Sequence, residues 1–155
     1  MQSSRLAVAV VGAGPAGMEA AMQAADLHLR VAVFDEQDAP GGQIYRAVER
    51  AGADMDRILG ADYACGRDLV ARFRAAGVAY FPRSTLVHVG DDLEMGVVRD
   101  GQLESHECGS LIIATGALER PFPIPGWTLP GVVTAGGVQA LLKGSSLVPE
   151  GRVAL

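Results

Sequence analysis

The chain has 155 residues, 20 of them glycine, with 49% apolar side chains and 18 acidic against 13 basic residues, a formal charge of −5. This composition excludes a disordered or collagen-like chain and suffices for one compact domain. No Lys/Arg tract offers the footprint that a nucleic-acid backbone needs, and no stretch reaches the ~18 uninterrupted apolar residues of a membrane span, so neither partner is expected.

Arg5 followed by the apolar Leu6–Val11 mimics a secretory leader, but Gly12, Gly14 and Pro15 interrupt the run and make better sense as a tight strand-to-helix turn. Leu6–Val11, continuous and rich in Val, predicts a strand buried on both faces of a parallel sheet. Residues 15–28 are mostly Ala, Met and Glu, with Pro15 in the first turn, and predict a helix. Val31–Phe34 predicts a second buried strand, which makes a right-handed βαβ unit. Pro40-Gly41-Gly42 is a turn, and a helix is expected from about Ile44 to Leu59.

Arg67 to Ala76 is amphipathic, with Leu69, Val70 and Phe73 on one face and Arg67, Arg72 and Arg74 on a solvated one; Gly77 closes it. Val78–Phe81 predicts a third parallel strand. Leu86–Val89, Glu94–Arg99 and Gln102–His106 are short runs separated by Gly90-Asp91-Asp92 and by the hairpin signal Asp100-Gly101, so an antiparallel meander is expected over about 85–107. Leu111–Ala114 returns as a separate buried strand. Pro121, Pro123, Pro125 and Pro130 impose an extended connection, in which Trp127 is expected to anchor against the core. Thr134 caps a last helix to about Lys143, and Arg152–Leu155 open a new strand, which makes the chain the expected front part of something longer.

The chemistry lies in Gly12-Ala13-Gly14-Pro15-Ala16-Gly17, a GxGxxG pattern placed between a predicted strand and a predicted helix and answered by Asp35, 23 residues beyond Gly12. Gly12 permits the tight turn, Gly14 removes a side chain that would block a pyrophosphate, and Gly17 lets helix and strand approach. The phosphates then meet unpaired N–H groups at the positive end of the helix dipole, so an acidic domain can hold a diphosphate without a lysine. Asp35 can accept bonds from ribose hydroxyls and repels a ribose 2′-phosphate, which favours FAD or NAD over NADP; spacing alone does not separate those two.

The remaining chemistry-bearing residues are expected to be quiet. Cys65 and Cys108 lack CxxC spacing and are assigned to packing in a reducing, cytoplasmic setting. His28, His88 and His106 have no metal-ligand spacing and are assigned to the surface or to caps, and no metal site is expected.

Val10–Gly17 with Asp35, the run Asp35-Glu36-Gln37, the run Pro40-Gly41-Gly42-Gln43-Ile44-Tyr45-Arg46 and the later Ile112-Ile113-Ala114-Thr115-Gly116-Ala117 together resemble the N-terminal half of the two-dinucleotide-binding-domain flavoproteins, the FAD-dependent pyridine nucleotide-disulfide oxidoreductase superfamily. Within it, PGGQIYR and the stretch from Glu119-Arg120-Pro121 to Pro130-Gly131 are similar to the FAD subunits of opine oxidases, hydrogen cyanide synthase and related amino-acid dehydrogenases.

The resemblance implies that Glu36 joins Asp35, that Gly41, Gly42 and Gln43 approach the cofactor, and that Thr115 and Gly116 sit near the FAD turn. It implies an amine or amino-acid substrate, hydride transfer to flavin, and electrons passed to an acceptor or a partner oxidoreductase subunit. It implies an α/β, Rossmann-like FAD-binding domain at 1–120, its central parallel sheet carrying helices on both faces and the inserted meander. A Pro-rich connection follows at 121–133. Residues 134–155 then form the helix and first strand of a truncated second dinucleotide-binding domain, whose missing part would hold any NAD(P). No catalytic residue is nominated, because the substrate-facing part is expected beyond this chain. The alternatives are an NAD(P)H-dependent flavoprotein reductase and a nucleotide-binding module without turnover.

Overall fold

The computed structural model describes residues 5–151. Strands β1 (Leu6–Val11) and β2 (Val31–Phe34) flank helix α1 (Pro15–Asp26), and pair in parallel from Val8 opposite Val31 to Val11 opposite Phe34. β3 (Ala79–Phe81) lies parallel to β2 on its far side. β4 (Ser84–Val89), β5 (Glu94–Arg99) and β6 (Gln102–Ile113) complete a six-stranded sheet of order β3-β2-β1-β6-β5-β4. At the β5–β6 turn Asp100 and Gly101 both have positive φ, 50° and 78°, the backbone that a two-residue hairpin needs.

The meander and the strand expected at 111–114 prove to be continuous. β6 pairs antiparallel with β5 over residues 102–107 and parallel with β1 from Cys108 to Ile113. Cys108-Gly109-Ser110 do not break the strand because they stay in the ladder: Leu6 faces Cys108 and Val8 faces Ser110.

The Rossmann-like α/β architecture is the expected one. Val8, Val10, Val31 and Val33 pack against Met18, Ala21 and Met22 of α1 and against Val70 and Phe73 of α4 (Gly66–Ala75). On the opposite face Ala9, Ala32 and Phe34 meet Met95, Val97 and Cys108, so among the described residues the meander covers that face where a helix layer was expected. Both faces are therefore buried, as the alternation-free Val runs require. His106 belongs to this second layer, its ring 4.9 Å from Phe34 and its Nε2 3.2 Å from Glu104 Oε2; it is neither a cap nor a surface residue.

The helix expected over 44–59 is mostly absent. Only α2 (Ala53–Leu59) forms, followed by α3 (Ala61–Ala64), while residues 42–50 run as turns, with φ +60° at Ala47. Side chains take the carbonyls that a helix would use: Lys143 Nζ donates to the Gln43 and Ile44 oxygens at 3.2 and 3.1 Å, and the Tyr63 hydroxyl to that of Arg46 at 2.8 Å. The α4 arginines are staples more than a solvated face. Arg67 grips Asp56 with two bonds, Arg74 grips Glu49 with two, and Arg72 reaches Glu19 on α1. Those guanidinium bonds hold the Glu49 and Asp56 carboxyls below their usual range.

Cys108 is buried in packing, and burial pushes its thiol up. Cys65 is exposed, contrary to the packing assignment, with Sγ 3.0 Å from the Asp62 carbonyl oxygen. Residues 117–124 and 132–134 lack regular structure, and Trp127 is 44% exposed, so it does not anchor the connection. Thr134 does cap α5 (Ala135–Ser145), accepting from Gly137 N at 3.1 Å. The strand expected at Arg152–Leu155 lies outside the described residues. Among the described residues no helix is long and apolar enough to cross a membrane, and no cluster of metal-ligating side chains forms.

Candidate functional site

The glycine turn at the end of β1 contains two kinds of glycine. Gly12, at φ +101°, would put a Cβ 2.4 Å from the Ala114 carbonyl oxygen, and Gly17 would put one 1.9 Å from that of Gly12. The fold itself forbids a side chain at both. Gly14 has φ −71° and ψ 179°, which any residue adopts, and the nearest protein atom to its Cβ would be Gly42 Cα at 4.0 Å. Protein packing therefore gives no reason for glycine there; the space beside it is a cradle that a side chain would fill.

Gly14 is also the N-cap of α1, so no side-chain acceptor caps the helix; Pro15 occupies its first turn, and no acidic residue stands in that turn. The leading amides keep their positive end available to an anion. Ala16 is exposed and Gly17 buried at the helix–strand contact.

Asp35 is 6% exposed, and both of its carboxylate oxygens are engaged within the protein. Its Oδ2 accepts from the Ala13 amide inside the glycine turn, and its Oδ1 accepts from the Gln37 amide at 2.7 Å. Each oxygen retains a lone pair for a ligand hydroxyl. Asp35→Ala is expected to lose about 2–4 kcal/mol of stability, since two amides lose a charged acceptor; denaturant unfolding of the ligand-free chain checks this. A variant as stable as the parent would mean that Asp35 serves the ligand alone. Beside it Tyr80 has a buried hydroxyl with no partner among the described residues, and burial, then the Asp35 charge, raise its pKa so that it stays neutral.

The second glycine pair sits against the first turn. Gly41 N donates to the Ala13 carbonyl at 2.8 Å, and a Cβ on Gly42, at φ +59°, would lie 2.9 Å from Gly14 Cα. A cleft of about 270 Å³ opens here, lined among others by Gly12, Asp35, Glu36, Gly42, Gln43 and Thr115. The fold thus gathers these six sequence-predicted residues, with Ala13, Gly14, Pro15, Ala16 and Gly17 forming the adjoining turn and helix start. Glu36 is exposed, its Oε1 3.2 Å from Gln37 Nε2. Gly116 does not line the cleft; Ala114, just before Thr115, is what meets Gly12.

Sequence reasoning did not single out Ser84, Thr85 or Arg46, which also line the cleft. Ser84 and Thr85 start β4 where its first amide bonds the Asp35 carbonyl at 2.8 Å, a placement with no local signature. Arg46 closes the PGGQIYR run, and that run was the available signal. The assembled site offers amides for an anion, a carboxylate for hydroxyl groups, and backbone stripped of side chains for close approach.

A family profile described as pyridine nucleotide-disulphide oxidoreductase matches residues 6–145. An opine oxidase subunit of Agrobacterium tumefaciens is 44% identical over 154 residues, covering 94% of this chain and 31% of that protein. The HcnB subunit of hydrogen cyanide synthase from Pseudomonas aeruginosa is 39% identical over 145 residues, covering 92% and 31%. The solved L-proline dehydrogenase of P. horikoshii superposes with a TM-score of 0.76 at 21% identity, over 94% of this chain and 29% of that one, a likeness of fold. The chain spans about a third of the length of these curated relatives.

Proposed function

We propose, since the chain belongs to the pyridine nucleotide-disulphide oxidoreductase family, that it is the FAD-binding portion of a flavin-dependent oxidoreductase acting on an amine or amino acid. The observation that carries the reading is the side-chain-free cradle at Gly14, facing Gly42 at the uncapped start of α1. FAD, when bound, supplies hydride-accepting chemistry. The chain's own residues position it. The amides of the Gly12–Gly17 turn would hold the diphosphate, Asp35 with Glu36 would take the ribose hydroxyls, Gly42 would keep the path beside the backbone free of bulk, Gln43 and Thr115 would border it, and Gly116 would leave the chain after Thr115 without a side chain. The Asp35 charge disfavours a 2′-phosphate, which leaves FAD or NAD for this site.

The substrate class draws on the relatives named as opine oxidase and hydrogen cyanide synthase, and the expected oxidoreductase partner on their being named as subunits. Residues 1–120 constitute the FAD domain, 121–133 its connection, and 134–155 the start of a second dinucleotide-binding domain that would take NAD(P). The unpaired cysteines fit a reducing, cytoplasmic setting.

Incubation with FAD followed by desalting tests the cofactor assignment. The protein is expected to retain the visible absorption bands of isoalloxazine. A colourless protein would overturn the assignment, and an extracted ligand that weighs as NAD without flavin would move it to a pyridine nucleotide at this turn.

A further inference from the structure

We infer that Arg46 is a phosphate-binding residue of this site, its guanidinium meeting the negative charge of the dinucleotide across the cleft from the glycine turn; this rests on the nucleotide reading above. The cleft that holds Gly12, Gly42 and Thr115 carries two carboxylates, Asp35 and Glu36, and among the described residues Arg46 is its one cationic lining residue. A diphosphate entering between those carboxylates meets repulsion that neutral amides offset only in part, and a guanidinium supplies the compensating charge with a planar fork suited to phosphate oxygens.

Arg46 is held ready for that role. Its Nε donates to Gln43 Oε1 at 3.2 Å, while its terminal nitrogens find no acceptor among the described residues. Arg67, Arg72, Arg74 and Arg99, by contrast, are each tied to a carboxylate. The loop beneath it is fixed from two sides. The Tyr63 hydroxyl bonds the Arg46 carbonyl, and Lys143 of α5 bonds the carbonyls of Gln43 and Ile44, which also engages the neighbouring cation elsewhere. A side chain on a pinned loop loses less conformational freedom when it closes on a ligand.

Calorimetric titration of the full chain with FAD, ADP and adenosine, for the parent, Arg46→Ala and Arg46→Lys, tests this, with thermal unfolding as the check on folding. Arg46→Ala is expected to weaken FAD and ADP by about tenfold to a hundredfold, the range of a charge-assisted bond, with adenosine unchanged and part of the loss recovered in Arg46→Lys. Should Arg46→Ala unfold, Arg46→Gln, which keeps most of the aliphatic stem and a donor but not the charge, carries the same comparison. Unchanged ADP affinity, or an equal loss for adenosine, would overturn the inference while leaving the FAD reading intact. A parent chain that binds neither FAD nor ADP overturns the nucleotide reading itself, and Arg46's role with it.

Discussion

Gly14→Val is expected to weaken FAD binding by about a hundredfold, the equivalent of roughly one strong charge-assisted hydrogen bond, while the chain stays folded. The valine Cβ meets no protein atom closer than Gly42 Cα at 4.0 Å, and the backbone at φ −71° accepts it. What the valine removes is the close approach of a ligand to the turn's amides. The folding cost is that of a poorer N-cap, about 1 kcal/mol, or roughly 2–4 °C in Tm. Flavin retention after desalting and a thermal melt of the same sample measure both sides. Undiminished flavin in the variant would remove the ground for placing a diphosphate at this turn.

Gly17→Ala gives the opposite pattern. A single methyl at Gly17 would sit 1.9 Å from the Gly12 oxygen, 3.0 Å from its carbonyl carbon and 3.3 Å from Ala114 Cβ, and none of these is the far end of a flexible side chain. Helix α1 must move off β1 to admit it. That opens the layer in which Met18, Ala21 and Met22 pack on Val8 and Val10. The expected cost is about 4 kcal/mol or more, among the largest for a point change, and a fall in Tm of roughly 10 °C or more. Far-UV circular dichroism during heating reads it without any cofactor. A Gly17→Ala chain melting within about 2 °C of the parent would show that the helix–strand approach is looser than these distances. The two variants separate positions that the GxGxxG pattern treats alike, one glycine required by the protein and one left open beside the cradle.

Local sequence carried much of this molecule. The Val-rich runs announced β1 and β2, the spacing from Gly12 to Asp35 announced the turn between them, Asp100-Gly101 announced its hairpin, and Thr134 announced its cap. Each rests on backbone demands confined to a few consecutive residues. The failures share a different cause. Residues 44–50 have the composition of a helix, yet Tyr63 and Lys143 take carbonyls of this loop from positions 17 to 100 residues away. Cys108-Gly109-Ser110 look like a break, yet β1 supplies a ladder that keeps β6 extended.

The amino-acid order by itself determined the βαβ unit, the glycine turn and its answering carboxylate, because a buried strand, a positive φ and an uncapped helix start are each written in neighbouring residues. Only the tertiary structure decided that the meander shields the alanine face of the sheet, that Asp35, expected to accept from ribose hydroxyls, also braces the glycine turn, and that Arg46 stands at the cleft without a carboxylate partner among the described residues. Those outcomes depend on which distant donor, acceptor or side chain arrives at a given atom. Long-range pairing energies settle that competition, and no local pattern records them.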